Sequence, residues 1–317
     1  SNNLKSRLSI RKEDFDGFRE NLFLNRDNTS RKDEQSLRFK TNWLINETAS
    51  LDLVYFDNDF DDPADIWTID GSLNTLSDRP GMDSQDTRAL GVNLEFMNRQ
   101  NTLEVLYSET DTDVIFSYDA DWGNTQSHFP YVYDYFSETL RKRETSNFEL
   151  RLLSNESGTT LADQIQWIIG ISYYESDESN NRRDDGAYGD PNDGFGTFYS
   201  ESFFSSDYSS ESKSIFGNLD YFMSKNLKLT LGFRWEDWQA DYIDSNKEFF
   251  TPDDSMNGGK ISLINSLEND LKYYVSVAKG YKQGGFNLGT GVSGSSLVQA
   301  ISYSPEYLTN YELGINK

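Results

Sequence analysis

The chain has 317 residues, a net charge of −24 from 29 basic and 53 acidic residues, and no cysteine. That charge opposes nucleic-acid binding, which needs a basic surface against phosphate. The absence of Cys removes thiol catalysis, zinc–thiolate sites and disulfides together. No run of about 18 apolar residues exists, so no transmembrane helix is expected, and any export signal is expected outside these residues. Mean hydropathy is −0.72. A β-barrel strand is apolar only at every second position, however, and escapes hydropathy scans. Aromatic residues at 15% argue against disorder.

In chain order, Leu4, Leu8 and Ile10 share one parity, and the mixed-charge stretch Arg11–Glu34 reads as a loop. Leu37, Phe39, Thr41, Trp43 and Ile45 alternate strictly, a short turn covers Asn46–Ser50, and Leu51, Leu53 and Tyr55 lead back. The scheme then repeats. Leu90–Phe96 and Leu103–Tyr107 flank a turn at Asn98–Asn101. Phe148–Leu152 and Ile165–Tyr173 flank one near Ser154–Thr160. Ile215–Tyr221 and Leu227–Trp235 flank Met223–Asn226, and Ile261–Leu267 precedes a turn near Glu268–Lys272. Tyr273, Val275 and Val277 then form one face of a strand, with Tyr274, Ser276 and Ala278 on the other. Asn310–Lys317 opens one more strand. Period-2 alternation of this kind marks strands with one apolar face.

This predicts an all-β, antiparallel transmembrane β-barrel segment of about twelve strands, joined by five short turns and six long loops in strict alternation. Short turns at one end and long loops at the other suit an outer-membrane barrel. Each apolar half-pattern covers about 9–11 residues, enough for a tilted strand to cross a bilayer. Trp43, Tyr55, Phe96, Tyr107, Trp167, Tyr173, Tyr221, Trp235 and Tyr273 stand near strand ends, as interfacial girdles require. A soluble propeller also repeats strands, but it explains neither the sorted connections nor the lack of a blade signature.

Four stretches expected to be loops, Asp57–Asp86, Glu109–Glu138, Glu175–Glu211 and Glu236–Met256, hold 33 of the 53 acidic residues. Asp57, Asp59, Asp61 and Asp62 resemble the start of a calcium loop, but the sixth position is Asp62 rather than Gly and the twelfth is Thr68 rather than Glu. A solvated acidic loop is the simpler reading. His128 is the only histidine and has no nucleophile beside it in sequence, so neither an enzyme nor a cofactor is expected.

Two segments carry a resemblance. The first is Tyr274, Ser276, Ala278, Gly280, Tyr281, Lys282, Gly284, Gly285, Phe286 and Asn287. The second is Pro305, Glu306, Leu308, Asn310, Tyr311, Glu312, Leu313 and Gly314. Together they resemble paired segments of the TonB-dependent outer-membrane receptors, and weaker echoes cover nearly the whole chain. The resemblance implies a 22-stranded barrel around an N-terminal plug, in the outer membrane of a Gram-negative bacterium. Residues 1–317 are then expected to be a partial barrel domain, with the plug and the C-terminal strands elsewhere. It implies membrane lipid and, through the plug, the TonB–ExbB–ExbD system as partners. The cargo would be a ferric siderophore or similar iron complex. The alternatives are a cobalamin, an oligosaccharide or another nutrient, or a passive porin.

Within that frame Tyr273, Val275 and Val277 are expected to face lipid, and Tyr274, Ser276, Ala278 and Gly280 the lumen. Lys279 would snorkel to the headgroups, Tyr281 would join the outer girdle, and Gly284 and Gly285 would let the chain bend at the rim. On chemistry alone Tyr188, Phe195, Phe198 and Tyr199 are candidate ligand contacts.

Overall fold

A computed structural model of the chain describes residues 3–155, 164–267, 271–286 and 302–317. Twelve long strands form one antiparallel meander. They are β1 (Leu4–Phe15), β2 (Lys32–Asn46), β3 (Ala49–Pro63), β4 (Met82–Met97), β5 (Asn101–Asp119) and β6 (Val132–Ser154). The sheet continues through β7 (Ile165–Gly189), β8 (Thr197–Phe222), β9 (Leu227–Asp244), β10 (Asp253–Ser266), β11 (Lys272–Lys282) and β12 (Glu306–Asn316). Each strand pairs with its neighbours in sequence. Among the described residues β1 and β12 pair on one side only, so the sheet is not closed.

Two adjacent rows across the sheet show what holds it in place. One runs Leu4, Trp43, Leu51, Leu94, Val105, Leu150, Ile171, Ile215 and Trp235, nine apolar residues from nine strands. The next runs Lys5, Asn42, Asp52, Asn93, Leu106, Glu149, Ser172, Ser214, Glu236 and Met256. Successive residues point to opposite faces, so these rows belong to an apolar and a polar side of the same sheet. The apolar side is the bare one: Ile171 is 49% exposed and Ile215 51%. The buried side chains are mainly polar, among them Ser176, Ser214, Ser262, Ser276 and Glu236. A water-soluble protein has the reverse arrangement, so the apolar face is built for a nonaqueous surrounding. Tyr273, Val275 and Val277 lie on it, and Ser276 is buried on the other side, as expected.

The turns expected at Asn46–Ser50, Asn98–Asn101 and Met223–Asn226 are present. Those near Ser154–Thr160 and Glu268–Lys272 lie partly outside the described residues, as does Asn287. The long loops are shorter than expected. Most of Glu109–Glu138, Glu175–Glu211 and Glu236–Met256 is strand, and the connection between β7 and β8 is only 190–196. The strands accordingly run from 11 to 26 residues. Asp, Asn and Ser have low intrinsic strand preference, but β7 gains a full ladder from β6 on one side and β8 on the other. Pairing overrides propensity there.

The outer connections 16–31 and 64–81 are tied to each other around buried Asp65. Its carboxylate accepts hydrogen bonds from Asn21 Nδ2 (2.9 Å), Thr75 Oγ1 (2.9 Å) and Thr29 Oγ1. Asn21 Nδ2 also donates to the Ser77 carbonyl at 2.8 Å, and Glu20–Asn21 pairs in parallel with Asn74–Thr75. Connection 64–81 then reaches 120–131: Asp78 N donates to the Gly123 carbonyl at 2.9 Å and Asn124 Nδ2 to the Leu76 carbonyl at 2.8 Å.

Candidate functional site

The motif around Gly280 does not end as a plain strand. Pairing between β10 and β11 stops at Gly259 opposite Lys279. Beyond it the chain leans across the polar face of β10. A Cβ on Gly258 would lie 2.9 Å from the Lys279 carbonyl oxygen and 3.2 Å from the Tyr281 ring, so glycine is what permits the approach. The Tyr281 hydroxyl donates to Glu236 at 2.9 Å and accepts from Arg234 Nε at 3.1 Å. Gln283 Nε2 donates to the other Glu236 oxygen. Tyr281 therefore turns inward instead of joining the outer girdle, a correction that follows from β11 leaving β10 while it stays paired with β12. Lys279 stays outside, with Nζ 2.9 Å from Asn257 Oδ1 and 4.5 Å from the centre of the Tyr307 ring.

Residues Lys282–Phe286 form a strap over the polar face. Phe286 is its anchor, stacked on Tyr242 at 5.2 Å between ring centres and flanked by Tyr208 and Phe250, each at 5.8 Å. Trp238, Ala240 and Met256 complete this seat. Gly285–Phe286 pairs with Ser302–Tyr303. A Cβ on Gly284 would meet the Tyr303 carbonyl at 2.7 Å, and one on Gly285 the Tyr303 hydroxyl at 2.6 Å. Neither glycine has a positive φ, and what each allows is close contact with Tyr303. The second motif supplies the far side of the ladder. Glu306 pairs with Lys282, and Gly314 leaves room for the Tyr274 ring opposite it. Pro305 lies beside Gly284, Tyr311 is exposed on the apolar face, and Glu312 accepts from Asn310 Nδ2 at 3.0 Å.

Phe286→Ala is expected to release the strap. A single cysteine placed at Ala240, beneath Phe286 in a stretch with no other Cys, should label with a bulky maleimide about tenfold faster in the Phe286→Ala background. Equal rates in both backgrounds would mean that Phe286 does not seat the strap.

Between strap and sheet lies a cavity of about 490 Å³, within the size range of small-molecule sites. β6 contributes Arg143 and Thr145, β7 Tyr174, Ser176 and Glu178, β8 Tyr208 and Ser210, and the far wall is Lys282–Phe286 with Tyr303. Glu178 is 7% exposed and holds two guanidinium groups, Arg143 Nε at 2.6 Å and Arg141 Nε at 3.5 Å. Tyr188, Phe195, Phe198 and Tyr199 lie apart from this cavity, at the tip of the β7–β8 hairpin. There Tyr188 faces Phe198 across the ladder, and Tyr199 is 83% exposed.

Asp57, Asp59 and Asp61 alternate down one face of extended β3, and Asp62 points the other way to accept from the Asp33 amide at 2.9 Å. This is not the geometry of a calcium loop, and among the described residues no group of three His, Cys, Asp or Glu side chains is placed to hold a metal ion. Burial, then the charges of Asp86, Asp61 and Asp33, raise the Asp59 carboxyl above its ordinary range.

At the outer end, His128 Nε2 lies 3.2 Å from the Asp121 carbonyl oxygen and 3.6 Å from its carboxylate, with the ring edge-on to Tyr133. Nearby Asp119 accepts from Ser77 Oγ at 2.6 Å. Burial pushes its carboxyl up to about 6, with Asp121 and Asp78 adding to the rise. The folded connections thus favour protonated Asp119. That contribution is fully present below the ordinary carboxyl pKa of about 4 and is lost as pH rises through about 6. Amide exchange in residues 64–81 and 120–131 should therefore slow on going from pH 7 to 5, after correction for intrinsic rates. Asp119→Asn should flatten the dependence. An unchanged pH profile in that variant would assign the effect to other groups.

Residues 15–316 match the family described as TonB dependent receptor-like, beta-barrel. With the twelve-strand meander and its apolar outer face, this makes the chain part of a membrane β-barrel of the TonB-dependent receptor class. The chain belongs to that family. Among solved structures it is similar to the ferric yersiniabactin uptake receptor FyuA from Yersinia pestis, with TM-score 0.75 and 14% identity over 99% of this chain and 47% of that one. It is also similar to the ferripyoverdine receptor of the Pseudomonas aeruginosa outer membrane, with TM-score 0.64 and 12% identity over 99% and 42%. A third likeness is to the copper transporter OprC, with TM-score 0.56 and 13% identity over 89% and 42%. The chain spans less than half the length of these three structures.

Sequence reasoning missed Arg143, Glu178, Tyr208 and Tyr303 as cavity residues. The available signal was parity: Tyr174, Ser176 and Glu178 sit opposite to Ile169, Ile171 and Tyr173, on the polar side and beyond the apolar band.

Proposed function

We propose that this chain is the partial barrel domain of an outer-membrane receptor, about twelve of 22 strands. The complete protein would take up a scarce nutrient using energy passed by TonB–ExbB–ExbD through a plug. A ferric siderophore or similar iron complex is the favoured cargo. The observation that carries the membrane reading is the row of nine apolar residues next to a row that is polar except for Leu106 and Met256. The iron reading is supported by the named cargoes of FyuA and the ferripyoverdine receptor. A non-iron nutrient is the second reading, because a copper transporter shares the fold.

The test is uptake of labelled ferric complexes by cells making the full-length receptor, with and without a functional TonB. Energised uptake that vanishes without TonB is the expected result. Uptake indifferent to TonB would point to a passive porin. Energised uptake of cobalamin or an oligosaccharide but of no ferric complex would replace the iron reading.

A further inference from the structure

We propose that the cavity behind the Lys282–Phe286 strap takes an anion bearing a planar ring. This rests on the receptor reading above and names the class of its cargo. The chain as a whole is strongly acidic, at −24, yet this wall is not. Its charged residues are Arg143, Lys282 and Glu178. The one carboxylate is already engaged by Arg143 and by Arg141 just above it, so the wall carries surplus positive charge. Among the described residues Lys282 makes no ion pair. Its Nζ lies over the Tyr303 ring, 5.3 Å from the centre, so the strap's ammonium and a ring of the segment paired with the strap meet at the cavity.

The opposite wall also carries a cation and a ring, Arg143 and the 38%-exposed Tyr174. Thr145, Ser176 and Ser210 add hydroxyl donors between them. A ligand that is anionic gains from Lys282 and Arg143, and one with a flat ring gains from Tyr174 and Tyr303. A cationic ligand finds no spare carboxylate here. The acid of the outer rim therefore sets the long-range field, and the cavity reverses it at contact distance. The lower dielectric of a partly enclosed wall gives the short-range charges the larger weight.

The experiment titrates the purified full-length receptor with three probes. They are a ferric tris-catecholate (anionic, with rings), ferric citrate (anionic, no ring) and a linear ferric tris-hydroxamate (no net negative charge, no ring). The expected order of affinity is catecholate, citrate, hydroxamate. Lys282→Gln should weaken the first two about tenfold and leave the third unchanged. Tyr303→Leu should weaken the catecholate complex alone. Lys279→Gln, three residues away on the outer face, should change nothing, and heat-modified gel mobility confirms that each variant is folded. Tightest binding by the hydroxamate, or no effect of Lys282→Gln on the anions, overturns the ligand class and leaves the receptor reading in place. No binding of any ferric probe overturns this proposal and the iron reading together.

Discussion

Leu231→Arg is expected to lower the stability of the full-length barrel by about 2–4 kcal/mol, the cost of a guanidinium near the bilayer midplane. Leu231 is 40% exposed on the apolar face, in a row with Trp167, Leu219, Ile261, Val277 and Tyr311. No carboxylate in that row can pair with the new charge. The side chain must snorkel, thin the bilayer or draw in water. Folding into lipid vesicles across a urea series measures the loss. Asp237→Arg is the matched control. It has the same parity as Leu231, six residues further along β9, where the apolar face has given way to carboxylates such as Asp241. Its cost should be close to zero. Equal costs at the two positions would mean that the apolar face is not at membrane depth.

The second large effect lies outside the membrane. Asp65→Ala removes the acceptor shared by Asn21, Thr29 and Thr75, all no more than 4% exposed. Each orphaned buried donor costs roughly 1–3 kcal/mol, so connections 16–31 and 64–81 should come apart locally, at a total cost of several times RT. Limited proteolysis of the intact receptor should show cleavage within those residues about a hundredfold faster, with the barrel itself unaffected. Asp65→Asn keeps one acceptor oxygen and should fall between. Wild-type cleavage rates in Asp65→Ala would show that the network does not hold the two connections together.

The strand plan could be read from sequence because the lipid face imposes a strict rule. Leu90, Val92, Leu94 and Phe96 must alternate, since one residue of slip would reverse every side chain. Where the sheet leaves the membrane that rule lapses. The stretch Glu175–Gly189 was therefore expected to be loop, although it is the upper part of a 25-residue strand. Its order comes from ladder partners on both sides, as far away in sequence as Val132 is from Gly189, which a local pattern does not reveal. The cavity was harder still. Its walls come from three strands and from a strap more than 70 residues further along. The parity rule also misassigned Tyr281, because alternation predicts a face only while the strand is held on both sides, and beyond Lys279 this strand keeps β12 but has left β10.

The length of β7 and β8 bears on how the proposed receptor would admit its ligand. Twenty-five residues of strand span about 80 Å, whereas a tilted strand needs only about ten of them to cross a bilayer. The remainder forms a stiff palisade whose backbone hydrogen bonds are made before any ligand arrives. Most of the ordering entropy is spent when the protein folds and not when it binds. Under the proposed receptor function, the entrance on this side of the barrel would be a preorganised vestibule. Admission would then be set by fixed width and fixed charge, and the rate of capture should follow diffusion and ionic strength more than the motion of a closing flap.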